Sequence, residues 1–475
     1  MAAPPQRGPG GEDRISNLPF ELLSAIISRL ATAEAARTAV LSTRWLDAWR
    51  GTPLRLDDLE LPATPCSTIA RAAAASGAPW AARADAVSLA LASHPGPVDR
   101  FRLSRTTLRA RVPAAEAWFR DLAAGDRRAR EVSLVCPPEW CHRALADPLL
   151  ASPTLETLAL GECRFSDAGA AAASASRLTE LSLSRTQITE VALQSLLSGC
   201  PALRSIMLSH IQGPRRIHIS SCRSLVLLGV WQYKNLEELT VEDAPRLERL
   251  LGDTHLGTAV TIVSAPKLTA LGYLVVGFRN SLPGIDKPGD QKKVCKGLSA
   301  PFNSVKILAI SATFSSKKNM DLVMNLLKCF PVLETLHIKN KRGEEEFHTI
   351  DSNYYHKLYP IGCVVNHLKS VRMESKIESG VENQNIIEFV CFVLANAQVL
   401  EIMKIEIESV LYVNPAWIME QQNVLCQCHR ASMEAKVVFK GLKAIRHKGF
   451  SIEAINALPD PFDSDIDIMG YENNS

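Results

Sequence analysis

Leu155-x-x-Leu158-x-Leu160-x-x-Cys163-x-Phe165 sets a pattern that the chain then repeats. Leu178, Leu181, Leu183 and Ile188 restate it, and so do Leu203, Ile206, Leu208 and Ile211. Leu155 to Leu178 is 23 residues and Leu178 to Leu203 is 25. Leu225-x-x-Leu228-x-Val230 and Leu236-x-x-Leu239-x-Val241 continue the series. A period in the twenties marks stacked strand-plus-turn units, each burying its apolar face only against its neighbours. One match would suit an unrelated α/β protein with chance spacing; five in succession point to a solenoid.

The spacing fits the leucine-rich repeat, with repeats expected over residues 131–345. Leu196-Leu197-x-x-Cys200-Pro201-x-Leu203 and Leu326-Leu327-x-Cys329-Phe330-Pro331-x-Leu333 look alike. In each, a helix ends, proline blocks its continuation, and a strand follows. Weaker echoes stand at Leu268/Leu271, Val305/Leu308/Ile310, Leu333/Leu336/Ile338, Leu368/Val371/Met373 and Leu400/Met403/Ile405. Their spacing drifts past 30 residues, so these units carry insertions or form a different module.

Upstream, residues 1–11 read as a Pro/Gly-rich leader and residues 12–52 as a helical module. Pro19 and Glu21 suit the first turn of a helix that continues through Leu22, Leu23, Ile26, Ile27 and Leu30. Thr32 is a candidate N-cap for a second helix ending near Leu41, and Ser42 for a third carrying Trp45 and Trp49 on one face. Residues 53–130 read as a connector with degenerate repeats, in which Val87, Leu89 and Leu91 alternate as a strand would. Past about residue 413 the repeat signal fades. Within the segment 413–475, the stretch from Pro459-Asp-Pro-Phe-Asp-Ser-Asp-Ile-Asp onward reads, from its acidity and two prolines, as a disordered tail.

Lys+Arg 53 against Asp+Glu 50 gives no charge surplus for nucleic acid or a membrane surface. There is no signal-peptide core and no run of about 20 apolar residues. An intracellular chain, nuclear or cytoplasmic, is expected, with its 12 cysteines as thiols. Cys426-Gln-Cys428-His429 and Cys136-x4-Cys141-His142 each lack the second half of a zinc site. Cys163, Cys200, Cys222 and Cys329 fall at or beside repeat turns, where a small buried thiol serves packing. No G-x-S-x-G elbow nominates a nucleophile, and Gly8-Pro9-Gly10-Gly11 lacks the G-K-[ST] of a phosphate loop. The clusters Arg127/Arg128/Arg130, Arg215/Arg216 and Lys339/Lys341/Arg342 read as solvated turns. No cofactor, metal or catalytic residue is assigned.

Asp13-Arg14-Ile15-Ser16-Asn17-Leu18-Pro19-Phe20-Glu21-Leu22-Leu23, with Ile26-Ile27-Ser28-Arg29-Leu30 and Ala39-Val40-Leu41-Ser42-x-Arg44-Trp45, resembles a plant F-box. The resemblance implies a three-helix module that binds a Skp-type adaptor and, through it, a cullin. It places adaptor contacts at Leu18, Pro19, Leu22, Ile26, Ile27, Leu30, Val40, Leu41 and Trp45. Independently, about forty residues are too few to enclose a core, so apolar side chains on several faces of the first helix call for a partner. His367-Leu-Lys-Ser-Val-Arg-Met373 and Glu388-Phe-Val-Cys-Phe-Val-Leu-Ala-Asn-Ala397 through Ile405 resemble the FBD region of plant F-box proteins, assigned to 346–412. The expected fold is α/β: a three-helix F-box, a leucine-rich-repeat solenoid and a C-terminal FBD extension. The expected role is a non-catalytic substrate adaptor of a Skp–cullin–F-box ubiquitin ligase, gripping an unknown protein target through its repeats. The alternatives are a repeat scaffold uncoupled from ubiquitination and a ligand-gated receptor.

Overall fold

A computed structural model describes residues 15–61, 79–106, 111–135, 143–173, 175–220, 222–233, 235–254, 258–276, 302–340, 354, 360–376, 380–408, 415–441 and 452–463. The leader, the 136–142 Cys/His cluster, Lys341 and Arg342 lie outside these residues. The chain divides into two units, the first comprising residues 1–178 with 185–187 and the second the remainder.

The first unit opens with helices α1 (Phe20–Ile27), α2 (Thr32–Thr38) and α3 (Thr43–Gly51). Ser42 caps α3 by accepting from Trp45 N, and both Trp45 and Trp49 are buried, as the spacing of the two indoles requires. Thr32 opens α2 rather than capping it: Ala31 is the N-cap, and the Glu60 carboxylate accepts the Thr32 N–H at 2.7 Å. Strand β1 (Leu54–Asp57), helix α4 (Pro79–Ser93), strand β2 (Val98–Leu103), helix α5 (Val112–Ala123) and strand β3 (Glu131–Leu134) follow. Strands β4 (Ala144–Leu145), β5 (Thr157–Gly161) and β6 (Cys163–Arg164), with helices α6 (Asp147–Leu150) and α7 (Asp167–Ala171), complete the unit. β1, β2, β3 and β5 pair in parallel, with Phe101 opposite Val132 and Val132 opposite Leu158.

The connector thus contains repeat-like strands, and its one expected strand is a helix. Val87 and Leu91, four apart, are buried on the inner face of α4, while Leu89 is exposed. Alternation over five residues was too short to separate a strand from two steps of a helix. A buried carboxylate, Asp58, accepts from the backbone of Ser104, Arg105 and Thr106 and from two hydroxyls, which fixes the turn after β2.

The second unit carries β7 (Glu180–Ser184), α8 (Glu190–Gly199), β8 (Ser205–Ser209), β9 (Arg216–Ile219), β10 (Leu227–Tyr233), β11 (Glu238–Val241), β12 (Arg249–Thr254), β13 (Ala259–Ile262) and β14 (Ala270–Val275). It continues with β15 (Ile307–Ala312), α9 (Lys317–Leu327), β16 (Thr335–Asn340), α10 (Gly362–Asn366), β17 (Ser370–Lys376), α11 (Gly380–Asn396), β18 (Ile402–Glu408), α12 (Pro415–Gln427), β19 (Lys436–Gly441) and α13 (Ile452–Ala457). The main parallel ladder runs β7-β8-β10-β12-β14-β15-β16-β17-β18-β19, and a second joins β9, β11 and β13. Corresponding repeat positions fall in register: Leu308 faces Leu336, Leu336 faces Val371, and Val371 faces Met403. Helices fill the longer connections. α9 is capped by Ser316 and buries Met320, Val323, Met324 and Leu327 at one-turn spacing. The drifting echoes are therefore one continuous ladder with insertions.

Three expectations change here. Leu236/Leu239/Val241 supplies the second ladder, whereas Leu247 and Leu250 supply the main-ladder strand between Leu225 and Leu268. Two strands per repeat put two Leu patterns into one period, and the eleven-residue offset from Leu225 to Leu236 was the clue. The ladder also extends past residue 413, through β19. Finally, Pro461 and Phe462 are buried, Asp460 and Asp463 are half-buried, and the rest of the acidic segment lies outside the described residues.

Cys163, on strand β6, and Cys200, Cys222 and Cys329, in the connections between elements, are all buried. Burial, with Glu162 nearby, pushes the Cys163 thiol up to about 12, and burial pushes Cys200 up to about 11, which suits packing rather than reactivity. Cys391 and Cys428, expected as thiols, are joined in a disulfide because α11 and α12 pack with their Cα atoms 5.8 Å apart.

Candidate functional site

The helical module builds two surfaces from one helix. Leu23 and Ile27, four apart on α1, point into a core completed by Ala35, Trp45, Ala48 and Trp49. Leu22 and Ile26, displaced by one residue, form an outer stripe that is 50% and 37% exposed. The start of α1 is held by Arg44, whose guanidinium donates to Leu18 O at 2.8 Å, and Trp45 Nε1 donates to Ser16 Oγ at 3.0 Å. Pro19 is the N-cap of α1, and its carbonyl accepts from Leu22 N and Leu23 N.

Of the nine expected contact residues, Pro19, Leu22, Ile26, Val40 and Leu41 are exposed, and Leu18 and Leu30 are half-buried. Ile27 and Trp45 are at 3% and 4% exposure, so they shape the module from inside and offer a partner nothing. Ile15 and Phe20 were not nominated, yet both are exposed apolar side chains in the same segment. Together, Ile15, Phe20, Leu22, Ile26, Val40 and Leu41 concentrate six large exposed apolar side chains within residues 15–41. Six such side chains within 27 residues are an apolar surface that the module's own core does not use.

The module is clasped to the strands that follow it by His94, which sequence reasoning did not single out. Its Nε2 lies 3.0 Å from both Trp49 O and Thr52 O, at the end of α3, and its ring meets Trp49 edge-on at 4.6 Å. Two carbonyl partners require that this nitrogen carry the proton. Arg127, also buried, donates to the carbonyls of His94, Gly96 and Leu91 and pairs with Asp121. It is an internal brace, not part of a solvated basic cluster. Arg215 and Arg216 do sit at the surface, paired with Glu237 and Glu190.

The other candidate surface is the sheet face of the second unit. Along each strand alternate residues point to opposite sides, so Met207, Gly229, Leu251, Ala309, His337, Arg372 and Lys404 belong to the outward face. Met207 pairs with Gly229 and Gly229 with Leu251, and His337, Arg372 and Lys404 stand abreast on β16, β17 and β18. A Cβ at Gly229 would run into the Met207 side chain and Trp231. The early strands thus carry apolar residues at outward positions, which are ordinarily polar. The chain's own C-terminal segment covers them: Ile452, Ile455 and Phe462 form one buried cluster with Met207, Leu227, Leu251, Ala270 and Ala309. Arg249 donates to Ile455 O at 2.8 Å.

Where the apolar floor ends, charge takes over. Asp460 accepts from His337 Nε2 at 2.8 Å, and Asp463 meets Arg372 Nη1 at 2.9 Å and Lys404 Nζ at 3.8 Å. Arg372 also binds Glu406 at 2.5 Å. Burial pushes the Asp460 carboxyl up, but His337, the Phe462 N–H and Arg372 outweigh it and hold the group below its ordinary range. Among the described residues no group of three His, Cys, Asp or Glu could hold a metal ion. No helix there is long and apolar enough to cross a membrane.

Three family models match: the F-box domain at residues 15–57, the leucine-rich repeats of FBD-associated F-box protein At5g56370 at 115–338, and FBD at 356–405. The relatives are from Arabidopsis thaliana. F-box/FBD/LRR-repeat protein At5g22660 is 54% identical over 50 residues, 10% of this chain and 11% of that protein. F-box/FBD/LRR-repeat protein At5g22700 is 27% identical over 325 residues, 63% and 67% of the two chains. Putative F-box/LRR-repeat protein At3g18150 is 24% identical over 433 residues, 84% and 87%. The first of these matches spans far less than two thirds of that relative's own length.

Proposed function

We infer, for a chain that is an F-box protein with leucine-rich repeats and an FBD region, that it is a substrate-recognition adaptor of a Skp–cullin–F-box ubiquitin ligase. The F-box binds a Skp-type adaptor and, through it, a cullin, while the repeat face holds a protein target. The observation that carries this reading is the set of exposed apolar side chains on α1 and in the α2–α3 turn. The module closes its own core without Leu22, Ile26, Val40 and Leu41, so their exposure is unexplained by folding. The chain would contribute proximity, raising the target's effective concentration beside a charged conjugating enzyme, and the bond-forming chemistry would belong to that partner.

The test is co-elution of the full chain with a Skp-type adaptor. Leu22→Asp with Ile26→Asp abolishes binding and leaves the melting transition in place, because exposed substitutions ordinarily stay within about 0.5 kcal/mol. Ile27→Asp, one residue along, buries a charge and unfolds the module instead. Undiminished adaptor binding by the Leu22/Ile26 variant would remove the proposed surface. Transfer of ubiquitin onto a captured partner in a reconstituted ligase then separates this reading from a scaffold that binds the adaptor without degradation.

A further inference from the structure

Covering the apolar floor of the sheet face explains Ile452 and Ile455, but not the charged end of the same segment. Half-burying two carboxylates against His337, Arg372 and Lys404 carries a desolvation cost that their pairing has to offset and that an apolar cover would avoid. Paired charges in such a place also specify which sequence fits, because a segment without the carboxylates would leave His337, Arg372 and Lys404 without them. The geometry is a reader's. Three basic or imidazole groups stand in one register row across adjacent strands, and the four-residue turn Asp460-Pro461-Phe462-Asp463 sets one carboxylate on His337 and the other on Arg372 and Lys404. Between them Phe462 packs edge-on to Tyr273 at 5.4 Å and against His337 at 5.7 Å. The turn is self-braced, Asp460 Oδ1 accepting from Phe462 N at 3.0 Å.

We propose that this strip, Tyr273–His337–Arg372–Lys404, is the target-reading site of the chain, that it takes a protein segment bearing an aromatic residue flanked by carboxylates, and that residues 459–463 occupy it as an intramolecular competitor. The proposal rests on the repeats being the target-binding half of the adaptor. The tethered segment competes at an effective concentration of order millimolar. A target therefore enters only when its own aromatic–acidic segment outcompetes the tail or when the tail is drawn away. The covering helix α13 stays in place on the apolar floor, and only the turn beyond it exchanges.

The test uses a fluorescent, end-blocked peptide of residues 458–463, Leu-Pro-Asp-Pro-Phe-Asp, and the full chain without adaptor. In the variant Asp460→Asn, Phe462→Ala, Asp463→Asn the site is vacated while Ile452 and Ile455 are untouched. The peptide binds this variant at least about tenfold more tightly than the wild type, since a site open a tenth of the time loses that factor in apparent affinity. A peptide with both aspartates replaced by asparagine does not bind, and adding His337→Ala to the variant weakens the intact peptide. Equal binding to variant and wild type, or binding to neither, overturns the proposal. Should the variant not fold, amide exchange in the wild type decides. Excess peptide speeds exchange at Phe462 and Asp463 if the turn is displaced, and unchanged rates mean a fixed cover and no site. No adaptor is present, so a failed F-box docking experiment leaves this result standing, and the reverse.

Discussion

His94 and Glu374 are both buried ionisable groups, and their pH signatures have opposite signs. Burial, reinforced by the positive charge of Arg127, lowers the pKa of His94, although the carbonyls of Trp49 and Thr52 pull it upward. An imidazole depressed in the folded state contributes stability above its unfolded value of 6.5 and loses it as pH falls. The first unit is therefore expected to lose stability on acidification below 6.5, with His94→Gln flattening that slope in thermal melts. Glu374 is raised, first by burial and further by Glu406, against the pull of Lys339, Arg372 and His337. Its folded state prefers the protonated form, so the penalty is absent below 4.5 and grows as pH rises. Glu374→Gln is expected to raise the melting temperature at pH 7, and the gain should vanish below pH 4.5.

At the scale of elements, α4 and α1 show how far spacing carries. Val87, Leu89 and Leu91 read as a strand from polarity alone, but the structure buries two of them one helical turn apart. Leu91→Ala should cost about 2–5 kcal/mol and Leu89→Ala within about 0.5 kcal/mol in denaturant titrations. A strand would make the two alike. α1 was legible as a helix because its apolar residues recur at one-turn steps. Which stripe faced inward was not legible, since Leu22/Ile26 and Leu23/Ile27 have the same spacing. Only packing against α3 separated the exposed stripe from the core.

In the second unit as a whole, the apolar outward positions of β8, β10, β12 and β15 are matched to a segment nearly 150 residues or more downstream. Ending the chain at residue 451 removes Ile452, Ile455 and Phe462 and bares Met207, Leu227 and Leu251. The expected outcome is a gain in binding of a hydrophobic dye and a tendency to self-associate, measured by light scattering. A chain that stays monomeric and dye-silent would show that the segment is dispensable. Such a long-range pairing has no local periodicity, which is why acidity and proline content pointed to disorder at Pro459–Asp463.

The sequence by itself determined the repeat architecture, the N-terminal helical module and its resemblance to an F-box, because these rest on side chains recurring at fixed local intervals. From Leu155 to Leu225, a leucine every 22–25 residues states its own ladder. Only the tertiary structure decided which apolar residues of α1 remain exposed and that Leu247 rather than Leu236 continues the main ladder. It also decided that Asp460 and Asp463 sit on His337, Arg372 and Lys404. Each of those outcomes depends on which of two equivalent faces meets a distant partner, and spacing along a chain is silent about that choice.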